Sequence, residues 1–220
     1  MDFMKNIAES GLKLLKKSET EVKKLLLLSH DKVSIYPDSI HKLGESLVML
    51  GRDETRRFLL VVADCPKAVP EGFEGEMLKL SDGGAALIGD LSGVNAAALR
   101  RHFPWTAPVS LRNRRSTIGC GDRLGLAGRG QLASIRKFKV KPVLAQQSKR
   151  ELSMTNRSFQ DVVDAACFSV FEADWREGWG ADGDHLKTIA DLEPALAAGM
   201  PMVTLDLSDQ IVAAAAAWED

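Results

Sequence analysis

A chain of 220 residues, 45% hydrophobic and 27% charged, with a formal net charge of −1, has the profile of a globular protein long enough to bury a core, as one large domain or two small ones. So balanced a charge excludes a general nucleic-acid binder, which needs a cationic face for phosphate. The local basic run at Arg112, Arg114 and Arg115 reads as a solvated loop.

The start, from about Phe3 to Leu28, carries apolar residues at helical spacing (Leu12, Leu15, Val22, Leu25, Leu26), which predicts an amphipathic helix or helix pair. Its apolar cluster, Leu25 to Leu28, is too short to span a bilayer, and Lys5, Glu9, Lys13 and Lys16 interrupt any signal-peptide core. Cys65, Cys120 and Cys167 form no CxxC pair and no disulfide framework, which fits a reducing compartment. A cytoplasmic protein without membrane contact is the expectation.

Short strand-like runs follow at Ser46 to Leu50, Phe58 to Ala63 and Ala85 to Gly89, separated by clusters of Gly, Pro and Asp. Asn95 to His102 reads as a short helix with Pro104 just past its end. Residues 1–110 are therefore expected to form a small α/β or α+β N-terminal domain.

The rhythm then changes. A turn-rich loop, Ile118 to Gly130, leads to a predicted helix over Gln131 to Phe138, and Pro142 to Gln146 is a short apolar run of strand type. Asp161 to Glu177 has a helical apolar pattern that Gly178 would close as a C-cap. A glycine-rich acidic segment, Trp179 to Leu186, precedes a helix over Asp191 to Ala198, a strand over Met202 to Leu207 and an alanine-rich helix over Asp209 to Trp218. Strands alternating with helices imply parallel βαβ units, about four of them after residue 110.

A barrel and an open doubly wound sheet both show this alternation, and in either the chemistry sits at the carboxyl ends of the strands. Four places draw notice: Asp122 with Arg123, Gln146 with Gln147, Asp184 with His185, and Asp206 with Asp209. The glycines around Gly119 to Gly125 follow GxGxxxG rather than the dinucleotide spacing GxGxxG, and the residues before them are polar, so they read as tight turns that expose Asp122 and Arg123. An imidazole flanked by carboxylates, as His185 is, suits a divalent metal, and a neighbouring carboxylate can act as base. An exposed or purely structural histidine is the competing reading. Of Gln146 and Gln147 at most one can face a barrel interior.

The blocks Arg114 to Ala127 (RRSTIGCGDRLGLA), Pro142 to Leu152 (PVLAQQSKREL), Arg176 to Thr188 (REGWGADGDHLKT) and Thr204 to Ile211 (TLDLSDQI) together resemble the tagaturonate/fructuronate epimerase family. The resemblance implies a β/α barrel of the TIM type, here incomplete, over residues 111–220, and family members about twice this length. It implies an enzyme that interconverts D-tagaturonate and D-fructuronate with a divalent metal. Asp184 would be the proton acceptor and His185 a metal ligand, with Asp122, Arg123, Gln147 and Lys187 on the substrate rim. The chain departs from the family at Gly128 to Gln131, where Thr-Pro-Gly-His is common, and at Gln210, where a histidine is common. The expected partners are the sugar acid and either the missing C-terminal half or further copies of the chain.

The two sugars differ at a carbon β to the ketone, which simple enolisation cannot invert. Retro-aldol cleavage and re-formation of a carbon–carbon bond is the expected route. A metal-dependent sugar-acid aldolase and a catalytically silent fragment are the alternatives.

Overall fold

The computed structural model describes residues 2–25 and 32–212. The amphipathic start forms two helices, α1 (Asp2–Leu14) and α2 (Glu19–Leu25). Ser18 and Glu21 cap the second reciprocally: the Ser18 amide donates to the Glu21 carboxylate at 3.0 Å and the Glu21 amide to the Ser18 hydroxyl at 3.3 Å. Leu26 to Leu28 lie outside the described residues.

Six strands follow: β1 (Ser34–Ile35), β2 (His41–Leu43), β3 (Ser46–Arg52), β4 (Arg57–Ala63), β5 (Glu76–Lys79) and β6 (Ala85–Gly89). They form one sheet in the order β1-β3-β4-β6-β5, with β2 also on β3, and each pair is antiparallel. Of the two readings of this region, α/β and α+β, the antiparallel pairing is that of the second. Between β1 and β6 the chain holds only 3-10 turns and no α-helix to serve as a crossover, and antiparallel pairs need none. Helix α3 (Gly93–His102) closes the unit, with the Ser92 hydroxyl accepting from the Asn95 amide.

Both faces of this sheet are covered, which explains why β3 and β4 are apolar almost without alternation. Leu47, Met49, Phe58, Leu60 and Val62 pack with Ile7 and Ala8 of α1. Val48, Leu50, Leu59 and Val61 pack on the other side with Ala96 and Leu99 of α3.

The second sheet comprises β7 (Thr117–Gly119), β8 (Lys141–Ser148), β9 (Gly180–Leu186) and β10 (Met202–Leu205). Its strands lie in chain order and pair parallel throughout. The connections carry α4 (Gly128–Ile135), α5 (Lys149–Thr155), α6 (Phe159–Glu172) and α7 (Ile189–Ala197), the crossovers that parallel strands require. The glycine-rich segment after Trp179 is itself the strand β9. Its glycines serve close packing: a Cβ on Gly183 would stand 2.8 Å from the Cβ of Ala195 in α7. Helix α6 stops at Glu172, where Asp174 rather than Gly178 adopts the first left-handed conformation, with φ 46°. Of the helix expected over Asp209 to Trp218, the described start is a 3-10 turn, Ser208–Gln210, and the alanine run lies outside the described residues.

Helix α6 joins the two sheets. Val162, Val163, Ala166 and Val170 pack toward the parallel sheet with Leu144 and Ala181. Cys167, Phe168 and Phe171 enter the cluster that holds β3, β4 and α3. The helix is thus apolar and enclosed on two sides, while Asp161 in its first turn stays exposed. Among the described residues no helix is long and apolar enough to cross a membrane, and the three cysteines are free thiols.

Candidate active site at the ends of the parallel strands

The carboxyl ends of β8, β9 and β10 open onto one cleft of about 870 Å³, lined by Ser148, Glu151, Asp184, His185, Lys187 and Asp206 among others. Two helix starts frame it. Ser148 and Glu151 form a capping box at α5, and Thr188 and Asp191 form another at α7. Lys149 pairs with the Asp191 carboxylate and so ties the two helix starts together.

Asp184 and His185 are consecutive on β9, and a regular strand would turn them to opposite faces. His185 has φ 56°, in the left-handed region. This break in the strand lets both side chains line the cleft, and such backbone conformations concentrate where function demands them. The His185 Nδ1 lies 2.8 Å from the Asp184 Oδ1. The hydrogen bond and charge of Asp184, with Asp206 and Asp182 further off, raise the imidazole pKa above its ordinary value. Lys187 reaches Asp209 at 2.8 Å and Asp206 at 3.7 Å.

A polar layer lies beneath this pair. Asp182, two residues before Asp184 and hence on the same face of β9, is fully buried. Its Oδ2 accepts from the Gln146 amide at 3.1 Å on one side and from the Thr204 hydroxyl at 2.8 Å on the other. Three adjacent strands are thus joined side chain to side chain. Gly119 on β7 completes the row, because any Cβ there would collide with the Gln146 carbonyl oxygen. Asp182 Oδ1 has no hydrogen-bond partner among the described residues. In the sequence, the two-residue offset from Asp184 is the signal that marks Asp182.

The other expected rim residues are placed differently. Gln147 is buried on the helix-facing side of β8, where its side-chain carbonyl accepts from Arg157 Nη1 at 3.0 Å; it is Gln146 that turns to the inner face. Asp122 spends both carboxylate oxygens on its own loop, accepting from the amides of Gly125 at 2.9 Å and Ala127 at 2.6 Å. Arg123 is exposed and pairs with Glu151 at 2.5 Å. Arg157, which the sequence did not single out, holds this loop by donating to the carbonyls of Asp122 and Arg123 at 3.1 and 3.0 Å. The structure therefore gathers Asp184, His185 and Lys187 in the cleft, sets Arg123 at its border through Glu151, and keeps Asp122 and Gln147 in supporting positions.

The donor chemistry fits a metal at His185 in part. A carboxylate on Nδ1 is the usual outer partner of a metal-binding histidine and leaves Nε2 for the ion. Asp184 and Asp206 add hard oxygen donors to the same cleft. Among the described residues, no three His, Cys, Asp or Glu side chains stand together as a metal-binding group.

Parallel strands in chain order, crossover helices and ionisable groups gathered at the strand ends define an α/β protein of the kind whose chemistry sits on the carboxyl rim. Residues 36–220 match the family described as tagaturonate epimerase. The tagaturonate/fructuronate epimerase of Thermotoga maritima is 32% identical over 177 residues, which cover 80% of this chain and 36% of that protein. The native structure of the fructuronate-tagaturonate epimerase UxaE from Cohnella laeviribosi superposes with a TM-score of 0.78 at 38% identity, over 92% of this chain and 40% of that one. A glycerol complex of the same enzyme gives 0.77 at 40% identity over 85% and 37%. The chain belongs to the tagaturonate epimerase family, and it spans well under half the length of these relatives.

Proposed function

We propose that this protein acts in the interconversion of D-tagaturonate and D-fructuronate, with the cleft at the ends of β8, β9 and β10 as its reacting centre and a divalent metal as cofactor. Family membership supports the substrate pair, and the Asp184–His185 contact at 2.8 Å is the observation that carries the chemistry. The parallel strands make up one part of a β/α barrel in this reading. His185 would hold the metal through Nε2, with Asp206 the nearest candidate for a second donor. A bound divalent cation supplies Lewis acidity at the ketone oxygen.

Asp184 does the proton work. Its carboxylate takes the proton from the hydroxyl on the inverting carbon. The bond between that carbon and its neighbour on the ketone side breaks, leaving an aldehyde and an enediolate. The aldehyde turns its other face, the enediolate carbon attacks it, and the new alkoxide recovers the proton from Asp184. The hydrogen bond from His185 keeps the Asp184 carboxylate oriented in the cleft between these steps.

Incubating the chain with D-tagaturonate and a series of divalent metals, with NMR detection of D-fructuronate, tests the reading. Exchange of carbon fragments between labelled and unlabelled substrate is the result expected for bond cleavage. Solvent deuterium at the inverting carbon would exclude that route. Release of free aldehyde would assign the chain to the aldolases, and no conversion with any metal would defeat the reading.

A further inference from the structure

The cleft is rich in acid. Glu151, Asp184, Asp191, Asp206 and Asp209 all line it. A sugar acid carries its own carboxylate into this field, and like charges at close range repel unless a cation faces the incoming group. A cation at the ketone end, as proposed above, still leaves the acid end of the substrate to be met by a second positive charge that the cleft's own carboxylates have not already taken.

Most of its cations are taken. Lys149 is paired with Asp191, and Lys187 is bracketed by Asp209 and Asp206. Arg123, at the border, is held by Glu151 at 2.5 Å. His185 is engaged with Asp184. Arg150 is different: it lines the cleft from the first turn of α5, its side chain is exposed, and among the described residues it has neither ion-pair nor hydrogen-bond partner.

We propose that Arg150 binds the carboxylate of the hexuronate and selects acidic over neutral ketohexoses. This inference rests on the sugar-acid reading of the cleft. The guanidinium presents two parallel N–H donors that match the two oxygens of a carboxylate, a geometry a lysine cannot reproduce. Its neighbours contribute by being neutralised: Lys149 and Lys187 cancel nearby carboxylates, so the field at Arg150 is less negative than the residue count suggests. Binding at Arg150 places the acid end of the substrate beside α5. The remainder of the sugar then runs toward Asp184 and His185 on the neighbouring strand.

The test compares binding of D-fructuronate with that of D-fructose, its neutral counterpart, by titration calorimetry on the intact chain and on Arg150→Ala and Arg150→Lys. The intact chain is expected to favour the acid by about ten- to a hundredfold, the range of a charge-assisted hydrogen-bonded contact. Arg150→Ala should bring the two sugars to similar affinity while leaving that for fructose in place, and Arg150→Lys should restore part of the preference. Added salt should weaken acid binding in the intact chain and leave fructose unaffected. A preference for the acid that survives in Arg150→Ala would overturn the assignment and leave the sugar-acid reading standing. Equal binding of both sugars by the intact chain would do the same, whereas binding of neither would end both.

Discussion

Arg57 of β4 places its Nη2 2.5 Å from the Glu172 Oε2 at the end of α6, so one ion pair spans from the antiparallel sheet to the helix that backs the parallel one. Glu172 is almost wholly buried, and burial pushes its carboxyl above the ordinary 4.5 against the opposing pull of Arg57 and then Arg129. Removing Arg57 leaves the more distant and exposed Arg129, at 3.5 Å, as the remaining counter-charge. Arg57→Ala should cost about 2–3 kcal/mol of stability at neutral pH. An acid with a raised folded pKa stabilises fully below its unfolded value, and that contribution is lost as pH rises through the folded value. Because the variant raises the Glu172 pKa further, its deficit should shrink as pH is lowered toward 4.5. Urea denaturation at both pH values checks the sign.

The link between the starts of α5 and α7 has its own titration signature. Asp191 is held down to about 2, first by Lys149 and then by Thr188. Lys149→Ala should move the Asp191 pKa upward toward 3.8 but not all the way, since Thr188 still caps the carboxylate. Carboxyl carbon chemical shifts followed through acid pH report it. An unchanged value would show that Lys149 does not pair with Asp191 in solution.

The buried Asp182 makes the inner face of the parallel strands sensitive to small changes. Gln146→Leu deletes the donor to Oδ2 at 3.1 Å and should destabilise by about 1–2 kcal/mol. Gly119→Ala should have a related effect by a different route, because its new methyl would push the Gln146 amide off Asp182. The two substitutions should be less than additive when combined, since they attack the same bond. Thermal melts of the single and double variants decide this.

Asp184→Asn removes the base and keeps the shape. Turnover of tagaturonate should fall about a hundredfold or more, while metal affinity measured by calorimetry should fall far less, because His185 keeps its Nε2. Full activity in this variant would take Asp184 out of the mechanism.

How much of this was legible beforehand differs from element to element. The apolar runs of β3, β4 and β6 and the periodicity of α6 announced themselves because burial had written the pattern. β5 did not, since three of its four residues are exposed and it owes its pairing to β6. β9 was marked only by its polar end: glycine and aspartate are poor strand formers, and only the demand for close approach to α7 and for carboxylates on the inner face explains them there. Asp184, His185 and Lys187 were found through their neighbours in sequence. Gln146 and Gln147 were exchanged because the irregularity in β8, where the register shifts between Val143 and Ala145, leaves no trace in residue type. The unpaired state of Arg150 depends on where every nearby carboxylate points, which a sequence does not state.

The burial of α6 between the two sheets bears on how this protein would come apart. Its outer apolar residues, Phe168 and Phe171, belong to the same cluster as Val48 and Leu59, and its inner ones to the cluster beneath the cleft. A protease cut in the stretch between Thr106 and Thr117, which holds no helix or strand, would sever the chain, yet the pieces would be expected to stay together and melt as one. Loosening the antiparallel sheet would reach the strand ends through this helix. The far side of the molecule is therefore an address from which the cleft can be disturbed without being touched.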